Sequence, residues 1–334
     1  MTNAREVAFD ALLSVESHDT YLNLVLPKLL QKAKLSAADS AFATELTYGT
    51  SRWQGFYDWV ISRATNRTVE EIDADALVVM RLGLHQLLEL KTPAHAAIYE
   101  TVNLAKRKLR ASVVGLINAT LRRVSEKSRF DWLNILHSQA LSHDEELSIL
   151  HSHPLWVTRS LKQALQSEGS QAELEQALES DNIAPKINLV KLPGKDARLE
   201  QTISKGEASP IGFVLEQGDP SLLGGVSTGA LRVQDQGSQL AALALERAKQ
   251  PANGETWLDL CAGPGGKAVL LAALAQQDGA TLTTNEVSEH RAKLVETAIR
   301  HSGFTRDYTS AEVSKGFNNS CWCESFNCLR KAIK

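Results

Sequence analysis

The sequence predicts a multidomain chain: an all-α N-terminal bundle, an α+β connector, and the beginning of a doubly wound α/β domain. Three observations lead there. Residues 1 to about 128 carry apolar positions at helical spacing in segment after segment. Near Ala184 this gives way to short apolar runs cut by Gly and Pro, the pattern of strands and turns. From Glu255 the order becomes strand, glycine turn, helix, strand, helix, as in a parallel sheet.

Each element has a local reason. In AREVAFDALLSVE, Val7, Ala8, Ala11, Leu12 and Val15 share one helical face. DADALVVMRLGLHQLLEL opens on a capping acid and carries a broad apolar stripe. PAHAAIYETVNLAKRKL puts Pro93 in its first turn, where the missing N–H costs nothing. SVVGLINATLRRVSE follows, and the short connections imply a bundle. The connector, residues 129 to 232, holds LKQALQSEGSQAELEQALES as its clearest helix, then PKINLVKLPG, GFVLEQGD and GALRVQDQG as strands with turns. Residues 233 to 303 read as a helix in SQLAALALERA, a strand in ETWLDL, a turn in AGPGG and a helix in KAVLLAALAQQ. ATLTTNE and SEHRAKLVETAIRHSG repeat the strand and helix. No clear strand is legible in the tail, 304 to 334.

Bulk properties exclude several classes. Hydrophobic residues make up 43% and charged residues 22%, ordinary for a chain with a proper core. No apolar run is long enough to predict a membrane span, and the N-terminus has no basic region before an apolar core. Of the four cysteines (Cys261, Cys321, Cys323, Cys328), three crowd the last 14 residues, which is no disulfide framework. A reducing cytoplasm is the expectation, with no metal, because Cys-x-Cys-x4-Cys is no standard zinc spacing. Net charge is −3, yet residues 106 to 129 hold eight basic side chains and one acid, Glu126. That cluster either tracks phosphates or forms a solvated helix face.

The turn in LDLCAGPGGKAVLL admits three ligands. A phosphate loop needs Gly-x4-Gly-Lys-Ser/Thr. Here Cys261 stands five before Gly266 and Ala268 follows Lys267, so that reading fails twice. A dinucleotide turn is met by Gly263, Gly265 and Ala268, a weak pattern on its own. S-adenosyl-L-methionine (AdoMet) would present a carboxylate to the amides of the turn. Glu286, 23 residues after Gly263 at the end of the next strand, suits the ribose in either nucleotide reading.

The same stretch closely resembles the RNA cytosine-C5 methyltransferases. Their first motif, Asp-x-Cys-Ala-x-Pro-Gly-Gly-Lys, is matched by Asp259, Cys261, Ala262, Pro264, Gly265, Gly266 and Lys267. Glu286 and Arg291 in NEVSEHRAKLV take the places of the family's following acid and helix-start arginine, and VQDQGSQLAALAL resembles its Gln-Asp-x-x-Ser-Gln lead-in. DSAFATELTYGTSRWQGFYDWVI, LVVMRLGLHQLLEL, PAHAAIYETVNLAK and GLINATLRRV look like the helical RNA-binding domain of the antitermination factor NusB. The pairing is similar to bacterial 16S rRNA methyltransferases of the RsmB/Sun type, over roughly residues 3 to 303. The resemblance implies a Rossmann-like AdoMet domain with cofactor contacts from Cys261, Ala262, Gly263, Pro264, Gly265, Gly266, Lys267, Glu286 and Arg291. It further implies small-subunit rRNA as partner, a monomer, and RNA contacts from Lys106, Arg107, Lys108, Arg110, Arg122 and Arg123.

The resemblance also sets a chemical requirement. Carbon 5 of cytosine is a poor nucleophile, and the family activates it by adding a cysteine thiolate to carbon 6. That nucleophile lies in a Thr-Cys motif, and a Pro-Cys motif helps release the product. Here the four cysteines follow Leu260, Ser320, Trp322 and Asn327, so neither motif is present and no catalytic residue is assigned. Cys261 is expected to be a small buried residue of the turn. A frameshifted or prematurely ended reading frame is the expectation for the tail, leaving an incomplete sheet. The expected activity is weak or absent, and the alternative is a non-catalytic RNA-binding remnant. A nicotinamide dehydrogenase would rest on the weak glycine pattern alone.

Overall fold

A single helix organises the N-terminal unit. From Ala76 to Gln86 it is buried all the way round, Arg81, His85 and Gln86 included, which goes beyond the apolar stripe of the sequence. In the computed structural model this is α5 (Ala74–Leu88) of a run comprising α1 (Ala4–His18), α2 (Leu22–Ala33), α3 (Ala37–Arg52), α4 (Gln54–Thr65), α6 (Ala94–Lys108), α7 (Ala111–Ser125), α8 (Arg129–His137), α9 (His143–Leu150), α10 (Leu155–Ser167) and α11 (Leu174–Asp181). The structure describes residues 3–18, 20–90, 92–248 and 254–304, and the backbone of 308–310. The chain divides after Ala184 into two units.

The core of the first unit packs Phe56, Tyr57, Val60 and Ile61 of α4 and Ile117, Leu121 and Val124 of α7 against α5. Val7 and Ala11 of α1 join Leu26 and Ala43 in a smaller cluster. The α5–α7 crossing is close at Gly83, where a Cβ would stand 2.4 Å from Leu121 Cδ2. Gly83→Ala would gain about 1 kcal/mol of helix propensity but overpack a buried contact costing about 1–3 kcal/mol. A net destabilisation near 1 kcal/mol is therefore expected, read as a lower urea midpoint with unchanged slope.

Three local expectations are corrected here. Pro93 is the N-cap of α6, not a residue of its first turn. Asp73 is the N-cap of α5, but its carboxylate makes no cap bond and accepts from Arg110 Nη2 at 2.8 Å. The expected single helix across LKQALQSEGSQAELEQALES is broken. Gly169 takes φ +76, α10 ends at Ser167, and α11 starts at Leu174. Glycine adopts that left-handed conformation without a steric penalty, and the break lets Leu174 and Leu178 pack on Leu147.

The second unit opens with a four-stranded antiparallel sheet, order β2-β3-β1-β4. It is formed by β1 (Ile187–Lys191), β2 (Ile203–Lys205), β3 (Gly212–Leu215) and β4 (Leu231–Val233). The short β2 has no legible alternation, and its pairing with β3 supplies what the local sequence lacks. After α12 (Gly224–Ser227) comes α13 (Gln236–Arg247), capped by Asp235, which accepts from the Gly237 and Ser238 amides at 2.9 and 3.4 Å. Gln236 ties this cap to the sheet. Its Oε1 accepts from the Ala208 and Ser209 amides, each at 2.9 Å, and its Nε2 donates to Asn188 Oδ1 at 2.8 Å. The Gln-Asp-x-x-Ser-Gln lead-in thus serves local architecture.

A parallel sheet follows: β5 (Thr256–Asp259), α14 (Gly266–Asp278), β6 (Thr281–Thr284), α15 (Glu289–His301) and β7 (Tyr308–Ser310), in strand order β5-β6-β7. β7 lies in the segment where the sequence shows no clear strand. Its parallel pairing with β6 is a tertiary property. α14 is buried from Ala268 to Ala275 and packs with Trp257, Leu282, Val295 and Ile299. The all-α unit and the mixed unit with its Rossmann-like βαβ portion match the predicted fold class. No helix among the described residues is long and apolar enough to cross a membrane.

Candidate functional site

The glycine turn sits at the C-terminal ends of β5 and β6, where open parallel sheets bind ligands. Asp259 pairs with Thr284 in the parallel register. The ladder runs on past the strands, with the Asn285 amide donating to Asp259 O at 2.8 Å and the Ala262 amide to Asn285 O at 2.9 Å. The chain then reverses, closed by the Gly265 amide on Ala262 O at 2.7 Å. Gly265 has φ +107, and a Cβ there would lie 3.2 Å from Val295 Cα and 3.1 Å from Ala298 Cβ, so α15 approaches through the missing side chain. A Cβ on Gly266 would meet nothing within 4 Å. α14 therefore starts with no side-chain cap and no acid in its first turn, leaving its positive end open.

Glu286 faces this turn and is already engaged. Its Oε2 accepts from the Gly263 amide at 2.9 Å and its Oε1 from the Ser288 amide at 3.0 Å. The Ser288 amide, then Arg291 and the Gly263 amide, hold its carboxyl below the usual carboxylate range. Arg291 Nη2 donates to Gly263 O at 2.5 Å, and its Nε lies 3.7 Å from Glu286 Oε2. The amides of the turn are not all open to a ligand. One of them is held by the residue expected on a ribose. A carboxylate has about four lone-pair sites, so two bonds leave Glu286 able to accept hydroxyl donors.

Asp259, which the sequence shows only as one position of a motif, is an ionisable group of the site. Its Oδ2 is buried without a hydrogen-bond partner, and burial pushes its carboxyl up, opposed by the Cys261 amide and Lys267. Position at a strand end beside the turn is the signal that could have found it. Cys261 corrects an expectation. It is exposed, not buried, because Ala262 takes the inner position of the turn. Pro264 and Lys267 are exposed at the rim. Cys321, Cys323 and Cys328 lie outside the described residues. Among the described residues no cluster of three or more His, Cys, Asp or Glu could hold a metal.

The structure divides the basic cluster. Arg107 pairs with Glu6 at 2.7 Å, Lys108 with Asp10 at 2.8 Å and Arg110 with Asp73 at 2.8 Å. Arg123 donates to Ala64 O at the end of α4. Lys106 and Arg122 make no salt bridge among the described residues and line one cleft between α6 and α7. Arg122 Nε donates to Asn118 Oδ1 at 3.4 Å within that cleft. Three of the six expected RNA contacts are thus tied up in salt bridges and a fourth on a backbone carbonyl.

Residues 2–126 match the NusB family model, and residues 247–321 match the model for 16S rRNA methyltransferase RsmB/F, which runs beyond Gly303. A Mycobacterium tuberculosis protein, Rv1407, named only provisionally and no further than methyltransferase, is 41% identical over 87% of this chain; the chain spans 65% of its length. Ribosomal RNA small subunit methyltransferase B of Pseudomonas syringae is 31% identical over 79% of this chain and 57% of its own. The "Probable ribosomal RNA small subunit methyltransferase B" of Bacillus subtilis is 27% identical over 91% of this chain and 67% of its own. The crystal structure of PH0851 superposes with a TM-score of 0.68 at 18% identity, covering 92% of this chain and 68% of that one, a likeness of fold. The chain thus joins a segment that matches the NusB family, residues 2–126, to one that matches the 16S rRNA methyltransferase RsmB/F model, residues 247–321.

Proposed function

We propose that the chain binds AdoMet at the 259–267 turn and small-subunit rRNA through its helical unit, as a member by descent of the cytosine-C5 methyltransferases. The observation that carries the cofactor reading is the pairing of an uncapped α14 N-terminus with Glu286 across the turn. The residues present fit the cofactor. The amides of Gly266 and Lys267 suit its carboxylate, the unpartnered Asp259 Oδ2 suits a cationic donor, and the spare lone pairs of Glu286 suit ribose hydroxyls. The open space at Gly266 leaves the approach clear. When bound, AdoMet supplies an electrophilic methyl group. This chain's own residues orient it: Arg291 fixes the Gly263 carbonyl and Glu286 together, so the ribose end is positioned before binding.

Methyl transfer to carbon 5 needs a thiolate that can reach carbon 6. No cysteine follows Thr or Pro, and Cys261 belongs to the cofactor turn itself. The proposal is therefore binding without turnover in the 334-residue chain. AdoMet at a hundredfold excess over its Kd should raise the stability of the binding unit by about 2.7 kcal/mol, seen as a thermal shift that NAD does not produce. Tritiated AdoMet with unmodified small-subunit rRNA should leave no label in cytosine. Robust incorporation would overturn the turnover statement, and the absence of any AdoMet shift would overturn the cofactor assignment.

A further inference from the structure

We propose that the cleft between α6 and α7 is a binding site for single-stranded RNA, with Tyr99 stacking one base and Lys106 and Arg122 holding neighbouring phosphates. The proposal rests on the RNA reading above and gives that reading a site. The cleft has a volume of ≈ 570 Å³. Its two walls follow from helical spacing. Tyr99, Asn103 and Lys106 are related as i, i+4 and i+7 on α6, and Asn118 and Arg122 as i and i+4 on α7, so each set forms one stripe.

Three properties select the ligand. Tyr99 is 66% exposed, an aromatic face left in water beside two cations. Lys106 and Arg122 make no salt bridge among the described residues, whereas Arg107, Lys108 and Arg110 do; Arg122 Nε donates to the neutral Asn118 Oδ1 at 3.4 Å, so the cleft holds two cations whose charge no carboxylate offsets by direct pairing. Asn103 and Asn118 add amide donors and acceptors suited to base edges. A duplex buries its base faces and would leave Tyr99 with nothing to stack on, while unstacked bases fit an aromatic flanked by cations. Glu126 at the cleft places one negative charge there, which favours a short contact over a long tract.

The test uses the full chain and a fluorescent single-stranded oligoribonucleotide of mixed sequence. Tyr99→Ala should weaken binding about tenfold, within the range measured for loss of one base stack. Tyr99→Phe, which keeps the ring, should stay within about twofold of wild type. The Lys106→Ala/Arg122→Ala pair should flatten the plot of log affinity against log salt by about 0.7 per phosphate lost. Lys108→Ala should leave that slope unchanged. Wild-type binding that none of the cleft variants alters would overturn the site while leaving the RNA reading intact. No binding by wild type would remove both. Tighter binding of an RNA duplex or of a polyglutamate peptide than of the single strand would also overturn the proposal.

Discussion

Replacing Gly263 with alanine is expected to weaken AdoMet binding by about 10- to 100-fold. The new Cβ would stand 2.2 Å from Glu286 Oε2 and 2.8 Å from its Cδ, so the carboxylate has to leave the turn. Arg291 Cβ, 3.0 Å away, restricts where it can go. Losing a hydrogen bond to a charged group costs about 1.5–3 kcal/mol, which is a factor of about 10 to 100 in Kd. Isothermal titration with AdoMet measures it directly. Glu286→Ala should give a loss of similar size. The double variant should be little worse than either single one, because both remove the same interaction. Additive losses would show that Gly263 acts by some route other than Glu286.

Arg81→Ala carries the largest expected cost in stability. Arg81 is only 5% exposed on the buried central helix of the bundle. Its Nε and Nη2 donate to the two oxygens of Asp58 at 2.6 and 2.8 Å, and its Nη1 donates to Glu16 at 3.0 Å. Burial pushes the Asp58 carboxyl up, and Arg81 is what opposes this. Truncation would leave a largely buried carboxylate without its cation. Such a break costs about 3–5 kcal/mol, and the lower end applies because Asp58 keeps some contact with water. For a unit of this size, a 3 kcal/mol loss lowers the melting temperature by about 6–12 °C. Asp58→Asn in the Arg81→Ala background should recover part of it by removing the stranded charge. A melting temperature within 2 °C of wild type for Arg81→Ala would rule out this account.

Much of the architecture is visible in residue order alone. The α5 stretch carries a broad apolar stripe, and that periodicity needs no partner to be read. The turn is equally local: an apolar strand, three glycines with a proline, and a helix define its shape. Glu286 stands at a fixed place just after the following strand, two residues past Thr284. These features depend on neighbours within a few residues, so spacing reveals them. Elements without a strong local signal are not legible in this way. β2 is three residues long, β7 is defined by its pairing, and the amphipathic pattern of residues 161–180 runs through Gly169, whose left-handed backbone breaks the helix.

Which charges remain available could not be read locally. Arg107 finds Glu6 across 101 residues of chain, Lys108 finds Asp10 across 98, and Arg123 finds Ala64 across 59. A run of basic residues therefore looks uniform in the sequence, and only packing divides it into paired cations and the two that line a cleft. The same holds at the glycine turn. Its motif resembles that of the RNA methyltransferases, but the folded chain shows the Gly263 amide held by Glu286, Asp259 left with an unpartnered oxygen, and Cys261 turned outward. Backbone conformation follows from neighbours along the chain. Charge pairing and burial follow from neighbours in space, which the fold alone brings together.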